Sequence, residues 1–155
     1  NTGTSILRTR STHRRPSHPR LREPPGLRRA TYATLHGVEP AAFLDGHPVA
    51  LSVYEEVCAR LGALGSFDVR TTKSQIAFRR KRGFAYLWLP GQYLQQPGAE
   101  VVLSIALGRE VRSGRFKEVV QPAKRRWMHH LEVHGPDEID DEVVQWLAEA
   151  FERAG

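Results

Sequence analysis

The sequence predicts an α+β fold: an antiparallel sheet of five to six strands with an N-proximal helix and a C-terminal amphipathic helix packed on one face. Three observations carry that expectation. Helical periodicity occurs twice, after residue 48 and after residue 140. The stretch between is a series of short extended segments, most of them β-rich or alternating with period two, separated by Gly, Pro and charge clusters. No strand-helix-strand alternation interrupts that series, which argues for helices packed on one face of an antiparallel sheet. With 155 residues and 40% hydrophobic content the chain makes one domain with a single core.

The first helix is announced by Asp45-Gly46-His47-Pro48, because proline suits the opening turn of a helix. Val49, Val53, Val57, Leu61 and Leu64 follow at helical spacing, and Gly62 and Gly65 close the element. Extended segments are then expected at 67–70, 74–79, 84–89, 101–107, more weakly at 116–120, and at 127–134, together a meander of antiparallel strands. In the last element Asp140 is placed to cap a helix. Asp141 and Glu142 fall in its first turn, where carboxylates meet the positive end of the helix dipole, and Ile139 is placed to staple onto Val144. Val143, Leu147, Ala150, Phe151 and Ala154 form one apolar stripe with Trp146 at its edge.

The charge of the chain is unevenly placed. Of 23 Lys+Arg and 17 Asp+Glu, residues 1–30 hold eight arginines and one glutamate, so residues 31–155 are left with fifteen against sixteen. The basic pI near 10 therefore describes a tail. Residues 1–30 are rich in Arg, Ser, Thr and Pro and cannot bury enough apolar surface to offset about 1–2 kcal/mol of backbone entropy per residue, so disorder is expected there. Three readings compete for it: a basic arm, an Arg/Ser-rich targeting peptide, or sequence upstream of the true start. One cysteine, Cys58, excludes an internal disulfide and a cysteine-based zinc cage. No run approaches the eighteen or so apolar residues of a membrane span, so no membrane partner is expected. The reading is a soluble, cytoplasmic protein.

Several spaced blocks then agree in order with one family. They are Phe43-Leu44-Asp45-Gly46, the run Thr72-Lys73-Ser74-Gln75-Ile76-Ala77-Phe78, Phe84-Ala85, Trp127-Met128-His129-His130-Leu131-Glu132-Val133, and Asp137-Glu138-Ile139-Asp140-Asp141-Glu142 with Trp146-Leu147 and Ala150-Phe151. The chain resembles, over about residues 36–154, a bacterial family known as domain of unknown function number 5655. Members commonly carry Tyr where Phe151 stands. The resemblance supports the fold and implies no activity, substrate or cofactor.

Function has to be sought in side-chain placement. If the hairpin around Arg80-Lys81-Arg82-Gly83 has an even loop, Ile76 and Phe78 share a face with Ala85, Leu87 and Leu89. Phe84, Tyr86 and Trp88 then lie on the opposite face beside Gln75, Ala77 and Arg79. An odd loop buries those aromatics under the helices. Val102, Ser104 and Ala106 oppose Val101, Leu103, Ile105 and Leu107 in the same way, and His130 with Glu132 opposes Leu131 and Val133. Such an open face suits stacking on bases or another planar ligand. The basic runs Arg79-Arg80-Lys81-Arg82 and Lys124-Arg125-Arg126 suit phosphate contacts, although charged hairpin tips also keep sheet edges soluble.

Metal and nucleophile readings are weaker. His130 and His134 are about 13 Å apart on a regular strand at 3.3 Å per residue, too far to share one zinc ion. His129 falls on the side of Leu131 and Val133, where a hydrogen-bonded structural role fits, and Cys58 reads as a small core residue. No nucleophile elbow or phosphate-binding glycine loop is present. The expectation is a non-catalytic binding or interaction module for an anionic or planar partner, nucleic acid included. Its candidate residues are Lys73, Arg79, Arg80, Arg82, Tyr86, Trp88 and His130, with no catalytic residue, metal or cofactor assigned. The alternatives are a small-ligand or enzymatic domain using His130 and Lys73 as acid, base or phosphate ligand, and a self-association domain forming a homodimer through the aromatic face.

Overall fold

The computed structural model describes residues 32–34 and 37–155. The expectations for residues 1–30 lie outside the described residues. Within them the elements run β1 (Tyr32–Thr34), α1 (Pro40–Phe43), α2 (Pro48–Gly62), β2 (Phe67–Thr71), β3 (Ile76–Arg79), β4 (Gly83–Trp88), β5 (Val101–Leu107), β6 (Glu118–Ala123), β7 (Arg126–Val133) and α3 (Asp141–Arg153). The sheet order is β1-β2-β3-β4-β5-β7-β6. Six strands pair antiparallel, and the three-residue β1 adds to the β2 edge in parallel. The α+β class therefore holds, with α1 and β1 as additions.

One face of this sheet carries the core. Ile76, Phe78, Ala85, Leu87, Leu103, Ile105, Leu131 and Val133 are buried on it, against Val53, Tyr54, Val57, Cys58 and Leu61 of α2 and Val143, Leu147, Ala150 and Phe151 of α3. Phe78 sits between Tyr54 and Phe67, with ring centroids 6.1 Å away on each side. In α3 the stripe is buried as expected, and the Asp140 carboxylate accepts the Val143 N–H at 3.1 Å. In α2 the expected stripe ends at Leu61. Leu64 lies beyond the helix and is 37% exposed. The α2 N-terminus receives a distant cap, since Ala50 N–H donates to Glu100 Oε2 at 2.9 Å from the start of β5.

Two expectations about the strands change. The meander holds only from β2 to β5, because β7 inserts between β5 and β6 and the connection 108–117 crosses over the helix side. Phe116, expected to begin the β6 strand, lies in that connection and packs on Trp146 and His129, with centroids at 4.5 and 4.9 Å. The strand itself runs from Glu118 to Ala123. Its hairpin turns on Lys124 and Arg125, the latter at φ 59°, so Ala123 pairs with Arg126. An irregularity at 120–123 holds Pro122, which has no N–H to give a ladder.

The β3–β4 hairpin resolves the parity question in both directions. Phe78 pairs with Ala85 and Ala77 with Tyr86, as an even loop requires, but at the tip Arg79 pairs with Gly83 across three residues. The bulge puts Phe84 out of step. Its ring turns to the helix face and meets Phe151 edge-on at 5.7 Å. Phe84 therefore does not join Tyr86 and Trp88 on the open face. Among the described residues no helix is long and apolar enough to cross a membrane.

Candidate functional site

Opposite the helices, period-two alternation lays out a second surface. Its floor is made of small side chains, Ala77, Val102, Ser104 and Ala106, and its walls of Tyr86, Trp88, Met128 and His130. Among the described residues no helix covers this floor, yet Ser104 is only 2% exposed, because the tall neighbours close around it. The result is a groove of about 460 Å³ lined by Gln75, Tyr86, Trp88, Tyr93, Arg126 and His130 among others. A smaller recess of about 200 Å³ continues on the far side of Trp88 and His130, toward Glu118 and Glu132.

The centre of the groove is a hydrogen-bonded chain. Trp88 Nε1–H donates to Ser104 Oγ at 2.8 Å, and Ser104 Oγ lies 2.6 Å from His130 Nδ1. An indole can only donate, so the serine oxygen is an acceptor there. Donation of the serine hydroxyl to Nδ1 then satisfies all three groups and leaves the imidazole proton on Nε2. Burial holds His130 below its ordinary pKa, against the opposing pull of Glu118. At neutral pH the ring is uncharged. Trp88 stands edge-on to both His130 and Tyr93, at 6.0 and 6.2 Å, which fixes the indole between them.

The two ends differ in charge. At one end Arg126 Nη2 donates to Tyr86 Oη at 3.0 Å, and its other donors have no partner among the described residues. A side chain at Gly83 would collide with Tyr86 Oη, so this glycine leaves room for the phenol. Other arginines of the domain are committed: Arg109 to Glu149, and Arg115 to Asp140 and Glu142. At the other end Lys117 Nζ pairs with Glu132 Oε1 at 2.6 Å, while Glu118 stands exposed beside them.

Of the residues expected at a site, Tyr86, Trp88 and His130 come together. Lys73 is exposed at the rim, where its carbonyl accepts from Gln92 Nε2 at 3.4 Å, next to the groove residues Ser74 and Gln75. Arg79 is half-buried at the hairpin bulge. Arg80 and Arg82 lie elsewhere. Their guanidinium groups donate to the carbonyls of Phe151 at 2.9 Å and Arg153 at 2.6 Å, and Arg80 also covers the Phe151 ring at 4.1 Å. They close the C-terminus of α3, where the helix dipole favours cations.

The sequence put Ser104 on the open face and Arg126 in a basic run suited to phosphate without making either a candidate site residue, and it did not point to Met128 or Tyr93. Stepping by two from His130 along its own strand reaches Met128 and Arg126, so those were findable. Tyr93, 62% exposed, follows the 3₁₀ turn Pro90–Gln92, and no periodicity points to it. His129 takes the structural role expected of it. Val111 N–H donates to its Nε2 at 2.9 Å, and its Nδ1 faces the Ile105 carbonyl at 3.3 Å.

Chemically the groove offers flat apolar walls, one cation and a neutral imidazole donor. A serine–histidine contact is present, but Ser104 Oγ already accepts from Trp88. The histidine meets it through Nδ1 rather than through a nitrogen oriented by a carboxylate, so the arrangement differs from a nucleophilic triad. The description that matches the chain is a domain of unknown function, DUF5655, whose family model covers residues 40–154. No curated protein and no solved structure gives a significant match.

Proposed function

We propose, for a chain that belongs to the DUF5655 domain family, that the domain is a non-catalytic binding module and that the open-face groove takes a planar ligand bearing an anionic group. The observation that carries this reading is the Arg126 fork. It faces an aromatic-walled groove with one N–H given to Tyr86 and, among the described residues, no carboxylate against it. A guanidinium so placed recognises carboxylate or phosphate through paired N–H donors. The small floor leaves depth for a ring, and Trp88, held rigid by Ser104, supplies the face on which it stacks.

Calorimetric titration of the full-length chain with nucleoside monophosphates, aromatic carboxylates and inorganic phosphate tests this. The planar anions should bind and inorganic phosphate should not. Arg126→Gln should weaken binding about tenfold, and Trp88→Leu should remove a stacking contribution of roughly 1–3 kcal/mol. Unchanged affinity in Arg126→Gln would defeat the proposal.

A further inference from the structure

The smaller recess that continues the groove past Trp88 and His130, away from Arg126, is chemically specific. Glu118 and His130 are directly paired across β6 and β7, so their side chains leave the same face with Cβ atoms about 4.5–5.5 Å apart. His130 Nδ1 is occupied by Ser104, so its Nε2–H is the donor left for the groove. The Glu118 carboxylate can only accept, and it holds no hydrogen bond or ion pair among the described residues. Its neighbour Glu132 is already taken by Lys117. A donor and an acceptor thus stand side by side. On β7 His130 lies four residues from Arg126, about 13 Å at 3.3 Å per residue.

Resting on the binding role given above, we infer that the ligand is an amino-substituted nitrogen heteroaromatic carrying one anionic group, of which an adenine mononucleotide is the plainest case. The ring nitrogen accepts from His130 Nε2–H. The adjacent amino group donates to Glu118, the ring lies against Trp88, and the anion meets Arg126 beside Tyr86. A ring nitrogen next to an exocyclic amine presents an acceptor beside a donor, the complement of the histidine–glutamate pair. Burial keeps His130 uncharged at neutral pH, which keeps its single remaining proton at the ligand edge.

The test is calorimetry on the full-length chain with adenosine 5′-monophosphate, purine riboside 5′-monophosphate, which lacks the amino group, and adenosine, which lacks the anion. Each deletion should cost about tenfold in affinity. Glu118→Ala, at an exposed residue, should erase the preference for the amino group and bring the two monophosphates to the same affinity. A trinucleotide with a terminal adenine distinguishes a free nucleotide from a strand end, and the amino preference in either ligand supports the assignment. Equal binding of the two monophosphates overturns the amino assignment while the planar-anion groove stands. Failure of both to bind overturns the two together.

Discussion

His129 and His130 are neighbours in sequence and opposites in surroundings, because adjacent residues of a strand point to opposite faces. His129 is fully buried, and its neutral form holds the 108–117 connection through Val111 N–H. Protonation would turn that acceptor into a donor facing a donor. Burial lowers the pKa of both histidines from the ordinary 6.5, with the Ile105 carbonyl partly opposing this at His129. The folded state therefore takes up protons at lower pH than the unfolded chain does. Between the two pKa values the unfolded state binds more protons, so stability is fully present above about pH 6.5 and is lost as pH falls through the folded values. Urea unfolding between pH 8 and pH 5 should show stability falling below about 6.5, and His129→Gln should flatten the fall. A flat profile in the native chain would show that neither ring titrates differently on folding.

At the scale of elements, α3 is held at both ends by groups from far along the chain. Arg115 reaches Asp140 and Glu142 at its start, and the hairpin 79–83 closes its end through Arg80, Arg82 and the Lys81 N–H, which donates to the Ala154 carbonyl at 2.8 Å. Replacing Arg80 and Arg82 together with Ala should lower stability by about 1–3 kcal/mol, since carbonyls at the helix end lose donors and Phe151 loses its cation. Denaturant unfolding measures that cost, and ligand affinity in the same variant should not move. A loss of affinity instead would return these arginines to the binding site. The basic run was legible in the sequence, but its use was not, because charge alone does not say whether a hairpin tip meets solvent, phosphate or a helix terminus. The cap and the buried stripe of α3 were legible, since both act within one segment. The bulge at Phe84 was not, because the same loop reads as three residues from Arg79 to Gly83 and as six from Phe78 to Ala85. The insertion of β7 between β5 and β6 was equally hidden, as alternation sorts side chains between faces and says nothing about which strand is the neighbour.

Across the whole molecule, the arginine-rich residues 1–30 and the groove hold positive charge with different physics. Residues 1–30 carry eight arginines, while the groove presents the single fork of Arg126 in a domain of nearly balanced charge. Many cations meeting a strand of phosphates release many counterions, so affinity falls steeply with salt. One guanidinium against one anion, helped by stacking that salt does not screen, falls only a few-fold between about 50 and 200 mM. The full-length chain should therefore bind a single-stranded oligonucleotide with a steep salt slope and a mononucleotide with a shallow one. Arg126→Gln should weaken the mononucleotide and leave most of the oligonucleotide slope in place. Anisotropy of a labelled oligonucleotide and calorimetry of the mononucleotide, each at two salt concentrations, separate the two contributions. A mononucleotide affinity that fell as steeply as that of the oligonucleotide would mean that the groove is not its site, since one cation cannot generate that slope.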